Sequence, residues 1–330
     1  SVKGVPQLES RETVLFLFGS PDLRQHGQAF DDLAKAFPLA AKVGCSSSGE
    51  IFGNQVFDNS LSVGIACFKK TRTKVCSSPI TEASQSYSVG QELAKQLDQE
   101  GLSALFVVSD GLRVNGSELV RGVNSVVGKE VTVTGGLAGD GSRFKETWVI
   151  HNGRPTTGHV TILAFYGKQV RVEHGSQGGW DIFGPERVVT KSEGNILFEL
   201  DGKPALQIYK EYLGEKASGL PASGLLFPLQ IRANDREEKR LVRTILAVDE
   251  TKQAMIFAGD IPQGYLAQLM RANFDRLIDG ASNAAKVIPI KDAQDILTIS
   301  ISCVGRRLVL GERTEEEVDA VLESLPRGAK

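Results

Sequence analysis

Hydrophobic positions in the first half of the chain alternate between short continuous runs and runs with helical spacing. The run Thr13–Phe18 is almost wholly apolar, which is typical of a buried strand. Asp22–Phe37 places its apolar residues on one face of a helix, and Pro38 ends the pattern. The same patterns predict strands at Lys42–Cys45, Leu61–Phe68, Thr73–Ser77, Ala104–Val108 and Val131–Thr134, and helices at Ser86–Asp98 and Leu119–Gly128.

The pattern changes near residue 150, where predicted strands follow one another without helices between them. Asn152-Gly153 lies between the apolar stretches Thr147–Ile150 and His159–Tyr166, and Asn-Gly favours the tight turns that match strand twist. This predicts a hairpin whose second strand continues into Val170–Glu173. A doubly wound parallel sheet does not contain such a strand-rich region. We therefore predict an α/β fold of two domains with mixed or antiparallel sheets flanked by helices, and not a doubly wound Rossmann sheet.

A composition shift at Glu173–Pro185 marks the predicted boundary between residues 1–180 and residues 181–330. In the second domain, Asp201–Gly214 is predicted to be a helix with Pro204 in its first turn. Thr314 and Glu317 form a predicted capping box at the start of the last helix. The other predicted elements are strands at Arg187–Thr190, Leu197–Glu199 and Ile296–Gly305, a hairpin of Leu225–Ile231 and Leu241–Asp249 around the charged loop Arg232–Arg240, and a helix at Pro262–Leu277.

The bulk composition narrows the function classes. A chain of 330 residues exceeds what one compact core usually holds, which agrees with two domains. The net charge of −2 provides no basic surface for nucleic acid or an anionic membrane. No apolar run approaches the ~20 residues of a spanning helix. The polar stretch SVKGVPQLES lacks the apolar core of a signal peptide, so we expect a cytoplasmic protein without membrane insertion.

The four cysteines are Cys45, Cys67, Cys76 and Cys303, and they form no C-x-x-C pair. No histidine lies at zinc-finger spacing from any of them. This argues against a structural zinc site and against a disulfide framework. We expect each cysteine to be a buried free thiol that packs like a small apolar side chain.

Two predicted strands end in runs of small residues that close with an acid, GCSSSGE at Gly44–Glu50 and GGLAGD at Gly135–Asp140. The first run has a superficial similarity to the G-x-S-x-G nucleophile elbow, but its glycines are five positions apart. Neither run has the lysine or the spacing of a phosphate-binding loop, and the closing acids would repel phosphate. A hydrolase that uses Cys45 or a serine beside it is therefore a disfavoured alternative, as is nucleotide binding.

Two interpretations of these runs remain open. As walls of a ligand site, their small side chains would let a ligand approach the backbone closely. Backbone N–H groups and serine hydroxyls would then hold a carboxylate, and Glu50 or Asp140 would hold an ammonium group. That arrangement suits a small zwitterion such as an amino acid. In the other interpretation both runs are tight turns, with glycines at positive φ and acids that cap backbone N–H groups.

The histidines leave a haem alternative open. His174 and His159, which lie near the predicted domain junction, are the candidate haem ligands. An isolated histidine is more often structural, and the chain contains no C-x-x-C-H motif, which excludes covalently attached haem. We therefore expect no cofactor, with haem as the alternative.

A series of motifs in a fixed order resembles the FIST family, whose members contain a FIST N region followed by a FIST C region. The resemblance runs from about residue 13 to the end of the sequence. The segments that carry it are Phe16–Gly19, Ala41–Gly53 (AKVGCSSSGEIFG), Ser109–Leu112 with Asn115–Val123, Gly135–Gly141, Leu200–Gly214 (LDGKPALQIYKEYLG) and Ser302–Val318 (SCVGRRLVLGERTEEEV). Residues 1–180 are thus expected to be FIST N-like, and residues 181–330 FIST C-like.

The resemblance implies a non-enzymatic signal-input protein that binds a small ligand, with amino acids among the candidates. It implies a partner such as a histidine kinase, a cyclic-di-GMP enzyme or a chemotaxis receptor, and one branch of the family binds haem and senses nitric oxide. Arg306 is an attractive bidentate carboxylate ligand, with a structural salt bridge as the open alternative. The pocket residues carried over by motif are Gly44, Cys45, Ser46, Ser47, Gly49, Glu50, Gly136, Ala138, Gly139, Asp140, Cys303, Gly305 and Arg306.

One feature departs from the family pattern. Family members usually continue beyond the last matching motif with a Gly-Phe-Tyr-Ser-Tyr-Gly-Glu segment and a His-Asn segment. This sequence ends at Lys330, after LESLPRGAK. If that tail helps to line a pocket, we expect the ligand site here to be incomplete, and a family histidine suited to haem to be missing.

Overall fold

The computed structural model of the chain describes residues 8–25, 27–237, 240–289, 295–326 and 329. Its first part contains β1 (Thr13–Gly19), α1 (Gln28–Ala36), β2 (Ala41–Ser46), β3 (Glu50–Phe52), β4 (Gln55–Phe57), β5 (Leu61–Cys67), β6 (Arg72–Pro79), α2 (Ser86–Lys95), β7 (Leu102–Ser109), α3 (Gly116–Asn124), β8 (Thr132–Leu137), β9 (Val149–His151), β10 (Arg154–Thr156) and β11 (His159–Tyr166). Its second part contains β12 (Trp180–Glu193), β13 (Ile196–Leu200), β14 (Lys203–Pro204), α4 (Ala205–Leu213), β15 (Leu229–Arg232), β16 (Leu241–Arg243), β17 (Ile245–Asp249), β18 (Ala254–Phe257), β19 (Leu266–Ala272), α5 (Phe274–Lys286), α6 (Val304–Leu310) and α7 (Thr314–Ser324).

The first part is a sandwich of two sheets with helices on both outer faces. One sheet has the strand order β10-β9-β2-β1-β5, and the other has the order β6-β11-β7-β8. Phe16 and Phe106 meet edge to face between the sheets, with ring centroids 5.9 Å apart. Helix α1 covers the first sheet around the fully buried Trp148, and α2 with α3 covers the second sheet. Burial of these faces stabilises the sandwich, because apolar area is removed from water on both sides of each sheet.

The two sheets share one arrangement of three neighbouring strands, β2-β1-β5 in the first and β8-β7-β11 in the second. In the first, β1 pairs in parallel with β2 and antiparallel with β5; in the second, β7 pairs in parallel with β8 and antiparallel with β11. Gly44 lies opposite Leu17, and Gly135 lies opposite Val107 at the equivalent place. Both glycines have positive φ, 154° and 144°, and a β-carbon on either would collide with the carbonyl oxygen of its partner residue. The two sheets therefore repeat both the pairing of these strands and the position of a glycine that the backbone requires.

The second part is a curled sheet. Its described strands follow the order β16-β15-β19-β12-β13-β18-β17, with β14 beside β13. The two ends of this path, β16 and β17, are separated in sequence only by Thr244, so the sheet curls into a half-barrel. The 14-residue strand β12 pairs with β19 along its first half and with β13 along its second half. Helix α4 buries Leu206 and Tyr209 against the strand residues of this core.

The predicted fold class is confirmed: the molecule is a mixed α/β protein with several sheets and is not a Rossmann fold. Two predictions of the first half need correction. The helix predicted over Asp22–Phe37 is a 3₁₀ turn at Pro21–Arg24 followed by α1, which begins at Gln28. Asn152 and Gly153 do form a tight turn, with φ of 51° and 75°, but this turn joins β9 to β10. Strand β11 is buried on both faces and pairs with β6 and β7 in the other sheet.

The helix predicted over Pro262–Leu277 is wrong. Its middle is strand β19, which pairs on both sides with β12 and β15. Leucines at helical spacing suit a strand equally well when both faces of that strand are covered, so the pairing overrides the apparent period. Helix α5 begins after Asn273, whose side chain accepts a hydrogen bond from the backbone N–H of Arg276.

The core strand predicted over Ile296–Gly305 is also wrong. The residues from 295 to 303 belong to no strand, and Val304 begins α6. Leu297 lies beside Gly64 of β5, and Ile301 lies beside Gly136 of β8, so this segment crosses the first part of the chain. Leu297 and Ile301 are 42% and 57% exposed. The apolar alternation therefore reflects packing on one side only, without strand pairing.

The last two corrections concern the ends of helices and strands. Thr314 and Glu317 do not form a capping box, because the Thr314 hydroxyl donates to the carbonyl oxygen of Gly311 at 2.6 Å and Glu317 binds Arg306. The predicted hairpin around Arg232–Arg240 is present as β15 and β16, with residues 238 and 239 outside the described part of the chain. The stretch Leu241–Asp249 is divided between two strands. None of the helices in the described ranges has the length and apolarity required to cross a membrane.

Candidate functional site

A cleft of about 520 Å³ lies where the two small-residue runs meet helix α6, and we call it the junction cleft. Its lining combines hydroxyls, carboxylates and guanidinium groups with a few apolar side chains. The lining residues are Ser20, Pro21, Asp22, Ser47, Ser48, Gly49, Glu50, Asp58, Asn59, Asp140, Gly141, Ser142, Arg143, Val304, Arg307, Leu308 and Gly311.

The two small-residue runs contact each other at the floor of this cleft. The backbone N–H of Gly139 donates to the carbonyl oxygen of Ser46 at 3.0 Å. The N–H of Gly141 donates to the hydroxyl of Ser48 at 2.8 Å. The structure thus brings the two predicted groups of site residues together, although they are about 90 positions apart in sequence.

Glu50 is 1% exposed, and both oxygens of its carboxylate accept hydrogen bonds from neighbouring residues. Oε1 accepts a hydrogen bond from the Ser47 hydroxyl at 2.8 Å. Oε2 accepts from both the N–H and the hydroxyl of Ser60, at 3.0 and 2.8 Å. Because Ser47 precedes β3 and Ser60 follows β4, this carboxylate closes the base of the β3–β4 hairpin.

Asp140 has a similar role in the second run. Its Oδ1 accepts a hydrogen bond from the N–H of Phe144 at 3.2 Å. Its Oδ2 accepts from the N–H groups of Lys145 and Glu146, at 2.7 and 3.0 Å. The side chain is 5% exposed, so the acid organises the loop that follows it. Both acids border the cleft, and ligand contact by either one stays a prediction.

Gly44, Cys45 and Ser46 lie behind the wall of the cleft. Cys45 is in the core between the two sheets, where burial raises the pKa of its thiol to about 12. The Ser46 hydroxyl accepts a hydrogen bond from the N–H of Trp148 at 3.1 Å. None of these three residues lines the junction cleft, and their predicted ligand contact stays a prediction.

Gly136 and Ala138 also lie outside the cleft lining. Gly136 packs beside Ile301 of the crossing segment. Ala138 is buried between the sheets, and its N–H donates to the carbonyl oxygen of Ser109 at 2.8 Å. Of the residues in and just after the second run, Asp140 and Gly141 line the cleft, and Gly139 does not.

Helix α6 presents two different faces. Val304, Arg307 and Leu308 face the junction cleft, as their helical spacing requires. The predicted motif residues lie elsewhere on the helix. Cys303 is the N-cap, whose Sγ accepts a hydrogen bond from the N–H of Arg306 at 3.3 Å, and Gly305 packs against the carbonyl oxygen of Leu225.

Arg306 forms a buried salt bridge with Glu317; their side chains are 10% and 6% exposed. Its Nη2 donates to the carbonyl oxygen of Leu277, and the Ser302 hydroxyl donates to Glu317 Oε2 at 2.8 Å. These contacts connect α5, α6 and α7. The observed geometry is thus the salt bridge, and a ligand role for Arg306 stays a prediction.

Arg307, which sequence reasoning missed, reaches the cleft instead. Its Nη2 lies 2.8 Å from Oδ1 of Asp58, and its Nη1 donates to the carbonyl oxygen of Ser48. A second arginine, Arg143, lies 2.8 Å from Oδ1 of Asp22 and lines the cleft on the opposite run. Helical spacing from Val304 would have identified Arg307, but the predicted strand at this position concealed it.

The two candidate haem ligands, His174 and His159, lie outside the lining of the junction cleft. His174 is exposed in the segment after β11, whereas His159 is stacked on His151 with ring centroids 4.6 Å apart. Its Nδ1 is engaged with the carbonyl oxygen of Thr157 at 2.8 Å. No group of three or more His, Cys, Asp or Glu side chains in the described ranges could hold a metal ion. A haem-ligand role for either histidine stays a prediction.

The fold and the junction cleft define a two-part α/β protein whose parts share one polar cleft. The FIST N domain matches residues 13–203, and the FIST C domain matches residues 205–330. The chain therefore belongs to the FIST family. FIST domains are generally sensory domains of signal-transduction proteins.

A relative from Methanocaldococcus jannaschii, the uncharacterized protein MJ1623, is 23% identical over 321 residues. The match covers 90% of this chain and 60% of that protein. The chain thus spans about three fifths of the length of the curated relative that it matches.

Proposed function

We propose that this chain is a non-enzymatic sensory module that binds a small zwitterionic ligand, such as an amino acid, in the junction cleft. The observation that carries the proposal is the composition of the cleft wall. It joins residues from the matched FIST N region with residues from the matched FIST C region, and it presents both signs of charge. A ligand bound there contacts both regions at once.

The chemistry of the lining supports a zwitterion. Arg143 and Arg307 offer guanidinium donors for a carboxylate, whereas Asp22 and Asp58 offer acceptors for an ammonium group. Each arginine is paired with one of these aspartates at 2.8 Å, so groups of both charges lie side by side in the cleft wall. A volume of about 520 Å³ accommodates an amino acid together with water.

The proposed signal is a shift between two arrangements of the regions. A ligand that binds one arrangement better than the other increases the population of that arrangement. The partner that responds would be a signalling protein such as a histidine kinase, a cyclic-di-GMP enzyme or a chemoreceptor, located in the cytoplasm. The proposal requires no cofactor.

The geometry of the nucleophile candidates agrees with a binding role. Cys45 is buried between sheets with a raised pKa, so its reactive thiolate is scarce near neutral pH. The Ser46 hydroxyl is engaged with Trp148, and the Ser47 hydroxyl donates to Glu50. Glu50, which accepts the Ser47 hydrogen bond, is also held by two hydrogen bonds from Ser60, so we assign this contact to the β3–β4 hairpin and not to a reaction.

Thermal-shift measurements with each of the twenty standard amino acids test this function. A ligand present at about 100 times its dissociation constant stabilises the folded state by about 2.7 kcal/mol, which raises the melting temperature by several degrees. Leu308→Trp should abolish the shift, because Leu308 lines the cleft. Leu39→Trp is the matched control, since Leu39 is 56% exposed and lies outside the lining. No shift with any amino acid would refute the proposal.

A further inference from the structure

Arg307 joins the two family regions at the wall of the junction cleft. It lies on α6 in the FIST C region, whereas its partners Ser48 and Asp58 lie in the FIST N region. Ser48 lies two residues before the first residue of β3, and Asp58 immediately follows β4. One side chain therefore ties α6 to both ends of the β3–β4 hairpin.

Gly49 provides the space for this arginine. A β-carbon at Gly49 would collide with the guanidinium of Arg307, and the residue has a φ of 139°. The backbone angle favours a glycine at this position, and a larger residue would also displace the Arg307 side chain from its present place. The small-residue run thus admits a side chain from the other region, a role that neither interpretation of the sequence contains.

The two members of the Arg307–Asp58 pair differ in exposure. The Arg307 side chain is 26% exposed, whereas that of Asp58 is 71% exposed. The aspartate is well hydrated with or without the arginine, and an ion pair of this kind contributes little to stability. Arg307 is held independently by the carbonyl oxygen of Ser48. The aspartate can therefore leave while the arginine stays in the cleft wall.

The other two arginines near the site do not combine these properties. Glu317, the partner of Arg306, is 6% exposed, so its departure would leave a buried charge unpaired. Arg143 has an exposed partner, but its own side chain is 43% exposed, so water screens its attraction for an anion more strongly. Of Arg143, Arg306 and Arg307, only Arg307 has a side chain that is mostly buried and a partner carboxylate that is mostly exposed.

We propose that Arg307 is the carboxylate-binding residue of the junction cleft, and that Asp58 occupies it until a ligand carboxylate takes its place. The exchange replaces one charge-assisted hydrogen bond with another. It also releases the end of β4 from α6, so ligand binding changes a contact between the two regions. This inference rests on the proposed function, because the carboxylate is that of the amino acid proposed there.

Isothermal titration calorimetry with the twenty standard L-amino acids tests the exchange. For each amino acid that binds the wild-type chain, Arg307→Gln should weaken binding at least ~10-fold, and Arg307→Lys should weaken it less because the charge is kept. Asp58→Asn should tighten binding about 3-fold, since a competing state no longer occupies the arginine. Arg72→Gln and Asp98→Asn are matched controls, because this pair is 2.7 Å apart, exposed and outside the cleft.

The outcomes separate the inference from the proposed function. If an amino acid binds Arg307→Gln or Asp58→Asn with wild-type affinity, the inference is overturned and the proposed function stands. If Arg307→Gln does not fold, Arg307→Lys and Asp58→Asn decide in the same way. If no amino acid binds the wild-type chain, the proposed function fails and a simpler probe decides the inference.

That probe is acetate, with acetamide as the neutral control, at constant ionic strength. Backbone hydrogen exchange of residues 50–57 reports whether the hairpin is released. Acetate should speed exchange in the wild-type chain, acetamide should not, and Asp58→Asn should exchange faster without either. Unchanged exchange in acetate would overturn the inference.

Discussion

Removal of one partner from the Arg306–Glu317 salt bridge should strongly destabilise the helices of the FIST C region. The two side chains are 10% and 6% exposed, so Glu317→Leu leaves a guanidinium buried without its counter-charge. Loss of one member of such a pair costs about 3–5 kcal/mol. The Ser302 hydroxyl also loses its acceptor on Glu317, but Ser302 is exposed, so water replaces this hydrogen bond.

The assay is urea unfolding followed by far-ultraviolet circular dichroism, supported by calorimetric melting. At roughly 2–4 °C per kcal/mol, the expected cost corresponds to a fall in melting temperature of about 6–20 °C. Arg24→Met is the control, because Arg24 also pairs with a glutamate, Glu146, but both of these side chains are 37% exposed. That variant should lose no more than about 1 kcal/mol.

The double variant Arg306→Met/Glu317→Leu separates the electrostatic explanation from simple loss of packing. With both charges removed, no buried ion is left unpaired, so the double variant should be more stable than either single variant. Additive destabilisation in the double variant would refute the reasoning. A loss below about 1 kcal/mol for Glu317→Leu alone would refute it as well.

Three further predictions concern the first part of the chain. Gly44→Ala should cost more than about 2 kcal/mol in unfolding free energy because its β-carbon meets the carbonyl oxygen of Leu17, whereas Gly178→Ala, with open space around it, should change stability by less than about 0.5 kcal/mol in the same urea titration. With a thiol pKa of about 12, Cys45 should be only about one ten-thousandth ionised at pH 8; iodoacetamide should therefore label it slowly in the native chain and rapidly after denaturation, and mass spectrometry checks this difference. Asp140→Asn should cost about 1–3 kcal/mol, because an amide cannot accept hydrogen bonds on both sides, and loss of slow hydrogen exchange in residues 141–146 would report the effect.

Local patterns were sufficient where one element decides its own structure. The apolar run at Thr13–Phe18 predicts a buried strand, and the structure has one there. The Asn-Gly pair at 152–153 predicts a tight turn, because both residues adopt positive φ readily, and both do so in the structure. The mistakes arose where a neighbouring element decides. Leu266–Ala272 has leucines at helical spacing, yet it is a strand because β12 and β15 pair with it on both sides. Pairing between distant segments cannot be read from spacing within one segment.

The candidate site shows the same division. The sequence identified both small-residue runs, and these do meet at the junction cleft. It favoured Arg306 over Arg307, because which of two adjacent residues on a helix faces a cleft depends on what packs against the helix. Glu317 and Leu277 lie on the side of Arg306, so the neighbouring arginine reaches the FIST N region. That outcome depends on α5, which precedes α6 along the chain, and on α7, which follows it.

The duplicated topology explains why the cleft depends on the FIST C region. The turn after β1 places Ser20 and Asp22 in the cleft wall, whereas the equivalent turn after β7 is closed by its own carboxylate. Asp110 is 2% exposed and accepts hydrogen bonds from the N–H groups of Leu112, Arg113 and Gly158. The two halves of the sandwich thus offer similar strand ends, of which one is filled internally and the other is covered by α6. Helix α6 supplies Arg307 to the open end, so both regions form the cleft. A change in the contact of Arg307 with Ser48 and Asp58 therefore alters the structure of both regions.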